Sequence, residues 1–222
     1  INRIDPLLIN MLVAYEDKRF WEHHGVDPLA ILRASLSFAK SGKIKSGAST
    51  LTMQTAKLMY PNLRQRSLNN KIKQMFFAMR LDAHWSKKEI LEAYFTLAPF
   101  GGNIEGAEAA TQAWFQKSPK ELTHTEAALL VALPQSPERR RPDLFPDAAF
   151  RAKTKVLEAV AKRINLKEDK LIVSLKNQEK KQLKVSIFKT FVEKDLIVIH
   201  FEHNLKNQTF IYHKINSKIS QS

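Results

Sequence analysis

The chain has 222 residues, with 36 Lys+Arg against 22 Asp+Glu for a formal net charge of +14 and 44% hydrophobic residues, enough for a buried core. That excludes a wholly disordered polycation, and the lack of cysteine excludes disulfide scaffolds, Cys-ligated zinc, thiolate catalysis and iron–sulfur clusters. A pI near 9.9 implies an anionic partner, and nucleic acid, anionic lipid head groups and a phosphorylated substrate all meet that requirement.

The first residues carry a helix start. Asp5-Pro6 sets a capping side chain before a proline at the first helical position, and Leu7, Leu8, Met11, Leu12 and Tyr15 form an apolar stripe behind it. The next ten residues, Glu16 to Gly25, crowd acids, bases, aromatics and a glycine together at the end of that helix. A carboxylate near aromatic rings is raised in pKa by desolvation and lowered again by nearby cations, so it can be poised as a general base. An ordinary ion pair at a helix end fits the same residues equally well.

Asp27-Pro28 repeats the capping device ahead of a second stripe, Leu29, Leu32 and Leu36. The segment from Gly47 to Lys57, with Ser49, Thr50, Thr52 and Gln54, follows Ser41-Gly42 and a basic stretch, and reads as a loop entering a helix. Loop hydroxyls, a helix N-terminus and Lys57 one turn beyond Gln54 would suit a phosphate or oxyanion, although a plain Ser/Thr-rich cap also accounts for them. It lacks the GK[ST] ending of a nucleotide P-loop. Arg64, Arg66, Lys71 and Lys73 add a basic run close by.

Helices are predicted over 68–81, 104–115 and 147–164, and Ser86-x-x-Glu89 and Thr123-x-x-Glu126 fit capping boxes ahead of two further apolar runs. Near residues 164–170 the chain changes character: no glycine, proline, alanine or arginine follows Glu168, and every later base is lysine. Leu183-Val185-Ile187, Leu196–Ile199 and Phe210–Tyr212 read as three short strands. The expected division is therefore 1–169 and a lysine-rich, β-like 170–222. No stretch approaches the roughly 18 apolar residues needed to cross a bilayer, so the chain as given is expected to be soluble or at most peripheral.

In order, EDKRFWEHHGVD, SGASTLTMQ, NNKIKQ, SKKEILEAYFTLAPFGG and RAKTKVL resemble the five motifs of the peptidoglycan glycosyltransferase (transglycosylase) domain of class A penicillin-binding proteins. The resemblance covers about residues 5–160, and APFGG with Met53 and Gln74 points to the 1C subgroup. It implies a mainly α, lysozyme-like domain followed here by a small β-rich segment. It also implies an enzyme on the outer, periplasmic face of the bacterial cytoplasmic membrane that polymerises lipid II, inverting the anomeric carbon and releasing undecaprenyl diphosphate. The partners would be lipid II, a lipid-linked glycan chain, the membrane surface and cell-wall synthesis proteins, with no nucleic acid. The family normally carries an anchor segment ahead of this domain, and none is expected within residues 1–222.

Residue by residue, the resemblance makes Glu16 the catalytic base. Asp17, Phe20, His23, Arg33, Gly47, Ser49, Thr50, Gln54, Lys71 and Gln74 become substrate-binding positions, and Lys57 and Arg66 contact the diphosphate. In the third motif Lys71 is kept, but Gln74 stands where glutamate is usual. An amide can hydrogen-bond a phosphate or hold Lys71, yet cannot act as an acid or as a carboxylate ligand. No cofactor and no protein-bound metal is expected, with a role for Mg²⁺ or Mn²⁺ left open. The rival expectation is a non-catalytic lipid-II-binding or cell-wall assembly protein descended from such an enzyme.

Overall fold

A computed structural model describes residues 1–41, 48–65 and 67–161, together with the backbone of 190–193 and 196–199. Among the described residues there are eight α-helices: α1 Pro6–Glu16, α2 Pro28–Ser41, α3 Leu51–Met59, α4 Leu68–His84, α5 Lys87–Leu97, α6 Ala107–Phe115, α7 His124–Ala132 and α8 Pro146–Val160. The expectation of a mainly α fold therefore holds for residues 1–161. Strands β1 Thr190–Glu193 and β2 Leu196–Ile199 pair antiparallel, with Thr190 opposite Ile199. The expected strands at 183–187 and 210–212, and the expected boundary near 164–170, lie outside the described residues.

The caps fall where the sequence places them. Asp5 accepts the Leu7 N–H at 2.8 Å and, with its other oxygen, the Leu122 N–H at 3.1 Å, so one carboxylate starts α1 and fastens the approach to α7. Both capping boxes form, Ser86 with Glu89 on α5 and Thr123 with Glu126 on α7. Helix α4 runs three residues past its expected end because the turn continues to Trp85 before Ser86 caps the next helix. Helix α6 begins at Ala107 rather than 104, since Glu105 bridges back to Pro99 and Gly106 takes a positive φ of 85°.

Two apolar clusters hold the helices. The larger joins Leu8, Met11 and Leu12 of α1 to Ile90 and Leu91 of α5, Leu130 of α7 and Leu157 of α8. The smaller consists of Val26, Met53 and Ala78, with Ile31 and Met75 packed against it, and joins α2, α3 and α4. Gly25 makes that closeness possible: at φ 78°, a Cβ on it would sit 2.4 Å from the Ala78 carbonyl oxygen.

One sequence stripe faces the other way. An apolar helix stripe ordinarily covers a core, but Leu29, Leu32 and Leu36 are 54–55% exposed, and the small residue Ala30 with Ile31 turns inward instead. Helix α4 is stranger still. Its inward positions 70 and 74 are Asn and Gln, followed by Ala78 and Leu81, while Leu68, Ile72, Phe76 and Met79 are exposed.

Candidate active site

Glu16 ends α1, and two amides hold its carboxylate. Gln54 Nε2 of α3 donates to Oε2 at 3.0 Å, and Gln135 Nε2, just beyond α7, donates to Oε1. Beneath them lies the fully buried Tyr94 of α5. Burial, with the Glu16 charge as a second cause, pushes its phenol pKa far up, so it stays neutral. The carboxylate is thus gripped by neutral donors on both oxygens and keeps lone pairs for a further proton.

The neighbouring Asp17 does something different. It is buried, accepts from His23 Nε2 at 3.0 Å on each oxygen, and accepts the Leu51 N–H at 2.8 Å. His23 is itself buried and meets the fully buried Phe20 edge-on, with ring centroids 6.3 Å apart. Thr50 is the N-cap of α3: its Oγ1 accepts from the Met53 N–H at 3.1 Å and donates to the Gly25 carbonyl at 2.6 Å. Expected as substrate contacts, Asp17, Phe20, His23 and Thr50 are instead 0–6% exposed. Through these bonds they fix the end of α1 and the start of α3 beside Glu16.

One turn along α3 from Gln54 stands Lys57, at the rim of a cavity of about 410 Å³. Its lining is Lys57, Arg64, Gln65, Ser67, Leu68, Lys71 and Gln74, with no acidic residue among them. Lys71 Nζ donates to Ser49 Oγ, which places the loop hydroxyl beside the cations. Burial first, and the charge of Lys57 second, hold the Lys71 pKa below the ordinary lysine value. Two cations that discourage each other, with no carboxylate between them, make a site that gains by taking an anion.

Gln74 does not hold Lys71. Buried, it donates to the Leu63 carbonyl at 2.8 Å, while Asn70, one turn earlier, donates to the carbonyls of Asn62 and Gln65 at 3.3 and 3.2 Å. The two amides together clamp the 61–65 segment that carries Arg64. Arg33 is exposed and lies 3.9 Å from the buried Asp27, alongside Arg19 at 3.3 Å from the same carboxylate. Gly47 and Arg66 lie outside the described residues. The sequence reading missed Asn70 as a clamp, Tyr94 beneath Glu16, and Gln135 with Arg140. An amide at the end of an apolar helix, in Ala-Leu-Pro-Gln, was the available signal for Gln135.

With a carboxylate at a helix end and a cationic pocket one turn along α3 in place, a family model described as transglycosylase matches residues 1–161. The chain belongs to the transglycosylase family. It is 45% identical over 161 residues to penicillin-binding protein 1C of Escherichia coli (strain K12), covering 72% of this chain and 21% of that protein. With penicillin-binding protein 1A of Aquifex aeolicus (strain VF5) the identity is 40% over 158 residues, covering 71% and 22%. The crystal structure of penicillin-binding protein 1A from Haemophilus influenzae aligns at a TM-score of 0.37 and 21% identity, over 60% of this chain and 19% of that one. The transglycosylase chain thus spans about a fifth of the length of the curated relatives it matches.

Proposed function

We propose that the chain is an inverting peptidoglycan glycosyltransferase that polymerises lipid II into β-1,4 glycan strands, on a lysozyme-like helical scaffold. The observation that carries this is the pairing of Glu16, held by two neutral amides, with a cationic cavity one turn along α3. In this reading Glu16 takes the proton from the 4-hydroxyl of the acceptor sugar as that oxygen attacks the donor's anomeric carbon from the face opposite the diphosphate. The C1–O bond to phosphate breaks and undecaprenyl diphosphate leaves with the electron pair. The sugar hydroxyl replaces the water of an inverting glycosidase. Lys57 and Lys71, with Arg64 and Arg66, hold the diphosphate, and their attraction grows as charge builds on the leaving oxygen.

A divalent cation does not suit the donors present. Among the described residues no three His, Asp or Glu side chains are grouped to hold a metal ion, and the cavity lining offers amides and cations rather than carboxylates.

The substrate is a membrane lipid, and the outward apolar faces of α2 and α4 fit a lipid surface. Among the described residues no helix is long and apolar enough to cross a membrane. The exposed Leu29, Leu32 and Leu36 with Ile72, Phe76 and Met79 would instead bring the cleft to the outer face of the cytoplasmic membrane, assisted by the positive net charge.

The test is polymerisation of labelled lipid II in detergent, with and without Mg²⁺, read on a gel that resolves glycan lengths. Glycan strands from the parent and none from a folded Glu16→Gln variant support the reading. Lipid II binding without product from the parent would overturn it in favour of a non-catalytic lipid-II-binding or assembly protein. The buried amide at position 74 is the feature that favours that second reading.

A further inference from the structure

Glu16 is approached from two directions, and the motifs account for only one of them. Gln54 comes from α3. Gln135 comes from the short 3-10 turn Leu133–Gln135 that continues α7, on the side of the larger core. A glutamine beside a carboxylate can present either end of its amide, and only the NH₂ end attracts. Here the choice is made by Arg140, in the next 3-10 turn, Glu138–Arg140.

Arg140 Nη1 donates to Gln135 Oε1 at 2.9 Å and to the Ala132 carbonyl at 2.6 Å. An arginine has only donors, so it accepts no other orientation of the amide. Oε1 must face Arg140, and Nε2 must face Glu16. Among the described residues Arg140 takes part in no ion pair, in contrast to Arg141, which pairs with Asp143 and Glu138. Its charge is directed through one amide toward Glu16. Hydrogen bonds in such a chain polarise one another, so the contact at the carboxylate is stronger than a lone amide would make.

We infer that Gln135 is a positioning residue for Glu16, oriented by Arg140, and that together with Gln54 it sets the carboxylate geometry needed to take the acceptor's proton. The inference rests on Glu16 being the base. Gln135 is exposed beside Glu16 and Ala132 ends α7, so the relay links the Glu16 carboxylate to the packing of α7 against α1.

The experiment measures kcat and KM for lipid II polymerisation, with melting temperatures, in the full chain. Gln135→Met keeps the length and loses both hydrogen bonds. It is expected to lower kcat about tenfold, the order reached when a catalytic group is modestly misplaced, with KM within twofold and melting unchanged. Gln135→Glu keeps an acceptor for Arg140, and so keeps the turn, but places a like charge against Glu16; its kcat should fall further than that of Gln135→Met. Arg140→Met should lower kcat in the parent and add nothing in the Gln135→Met background, which an independent structural role would not produce.

Parent-like kcat in folded Gln135→Met or Gln135→Glu overturns the inference. A rise in KM alone also overturns it, because Gln135 would then bind substrate rather than position the base. If Glu16→Gln still polymerises, the assignment of the base has failed. If Glu16→Gln is dead while Gln135→Met matches the parent, only the positioning role has failed.

Discussion

Asp17 accepts the backbone N–H of Leu51 at 2.8 Å across 34 residues of sequence. Asp17 follows Glu16 directly, and Leu51 opens the helix that carries Gln54 and Lys57, so this one bond registers the carboxylate, its amide and its cation against each other. Asp17→Ala leaves buried His23 without its partner and the first turn of α3 without an acceptor. It should cost about 2–4 kcal/mol in urea unfolding, the range for breaking a buried charged hydrogen-bond pair. Asp17→Asn, which keeps an acceptor, should cost less, and equal losses would mean that charge plays no part.

Lys71 is held below 10.5, its ordinary value, by burial and then by Lys57. A lysine whose folded pKa lies below its unfolded one weakens the fold wherever it is charged, and the penalty disappears as pH rises from the lowered value to 10.5. Lys71→Met should therefore melt higher than the parent at pH 7, with the difference gone by pH 10.5, while diphosphate binding collapses. A lower melting temperature for Lys71→Met at pH 7 would show that the Ser49 contact outweighs the burial.

Glu126 lies on the opposite side of that balance. Burial raises its pKa, but hydrogen bonds from Lys117 and Thr123 prevail and leave it below the ordinary carboxylate value. Its contribution to stability is present above its unfolded value of 4.5 and is lost as pH falls through the lowered folded value. Glu126→Ala should cost about 1 kcal/mol at pH 7, as loss of a capping box does. The parent and variant should converge in guanidinium titrations as pH falls below 4.5 and Glu126 protonates, and a gap that persists once it is protonated would exclude the ionised carboxylate as its source.

The exposed apolar residues on α2 and α4 should matter to lipid and not to the fold. Leu32→Asp combined with Phe76→Asp alters two side chains that are 55% and 53% exposed, so urea unfolding should shift by less than about 0.5 kcal/mol. Co-sedimentation with vesicles containing anionic phosphatidylglycerol should fall severalfold. Undiminished vesicle binding would leave the basic residues as the whole membrane contact.

Local signals proved the most legible. The caps of α1, α3, α5 and α7 are written in Asp5, Thr50, Ser86 and Thr123, because a cap depends on a few consecutive residues. Glu16, Gln54 and Lys57 could be named because the motifs carry them. What the sequence could not show was depth. Nothing in EDKRFWEHHG separates the half-buried Glu16 from the buried Asp17, since that difference arises when α3 docks its N-terminus onto one carboxylate and not the other. The leucines of α2 were open to two readings for a related reason: periodicity reveals that a helix has an apolar face, not what covers it. Gln135 and Arg140 stayed hidden because their meaning depends on a residue more than a hundred positions away.

Water usually decides which way a helix faces, and for α4 it would decide wrongly. The helix keeps Asn70 and Gln74 inside and Ile72, Phe76 and Met79 outside because its two buried amides hold three backbone carbonyls of the 61–65 segment. In aqueous buffer the first half of α4 is therefore kept in orientation by hydrogen bonding against the hydrophobic effect. On a bilayer the two would agree. The clamp on Arg64 should accordingly be firmer on a bilayer than in buffer, and under the proposed function the surface that holds the substrate would also complete the pocket proposed to receive it.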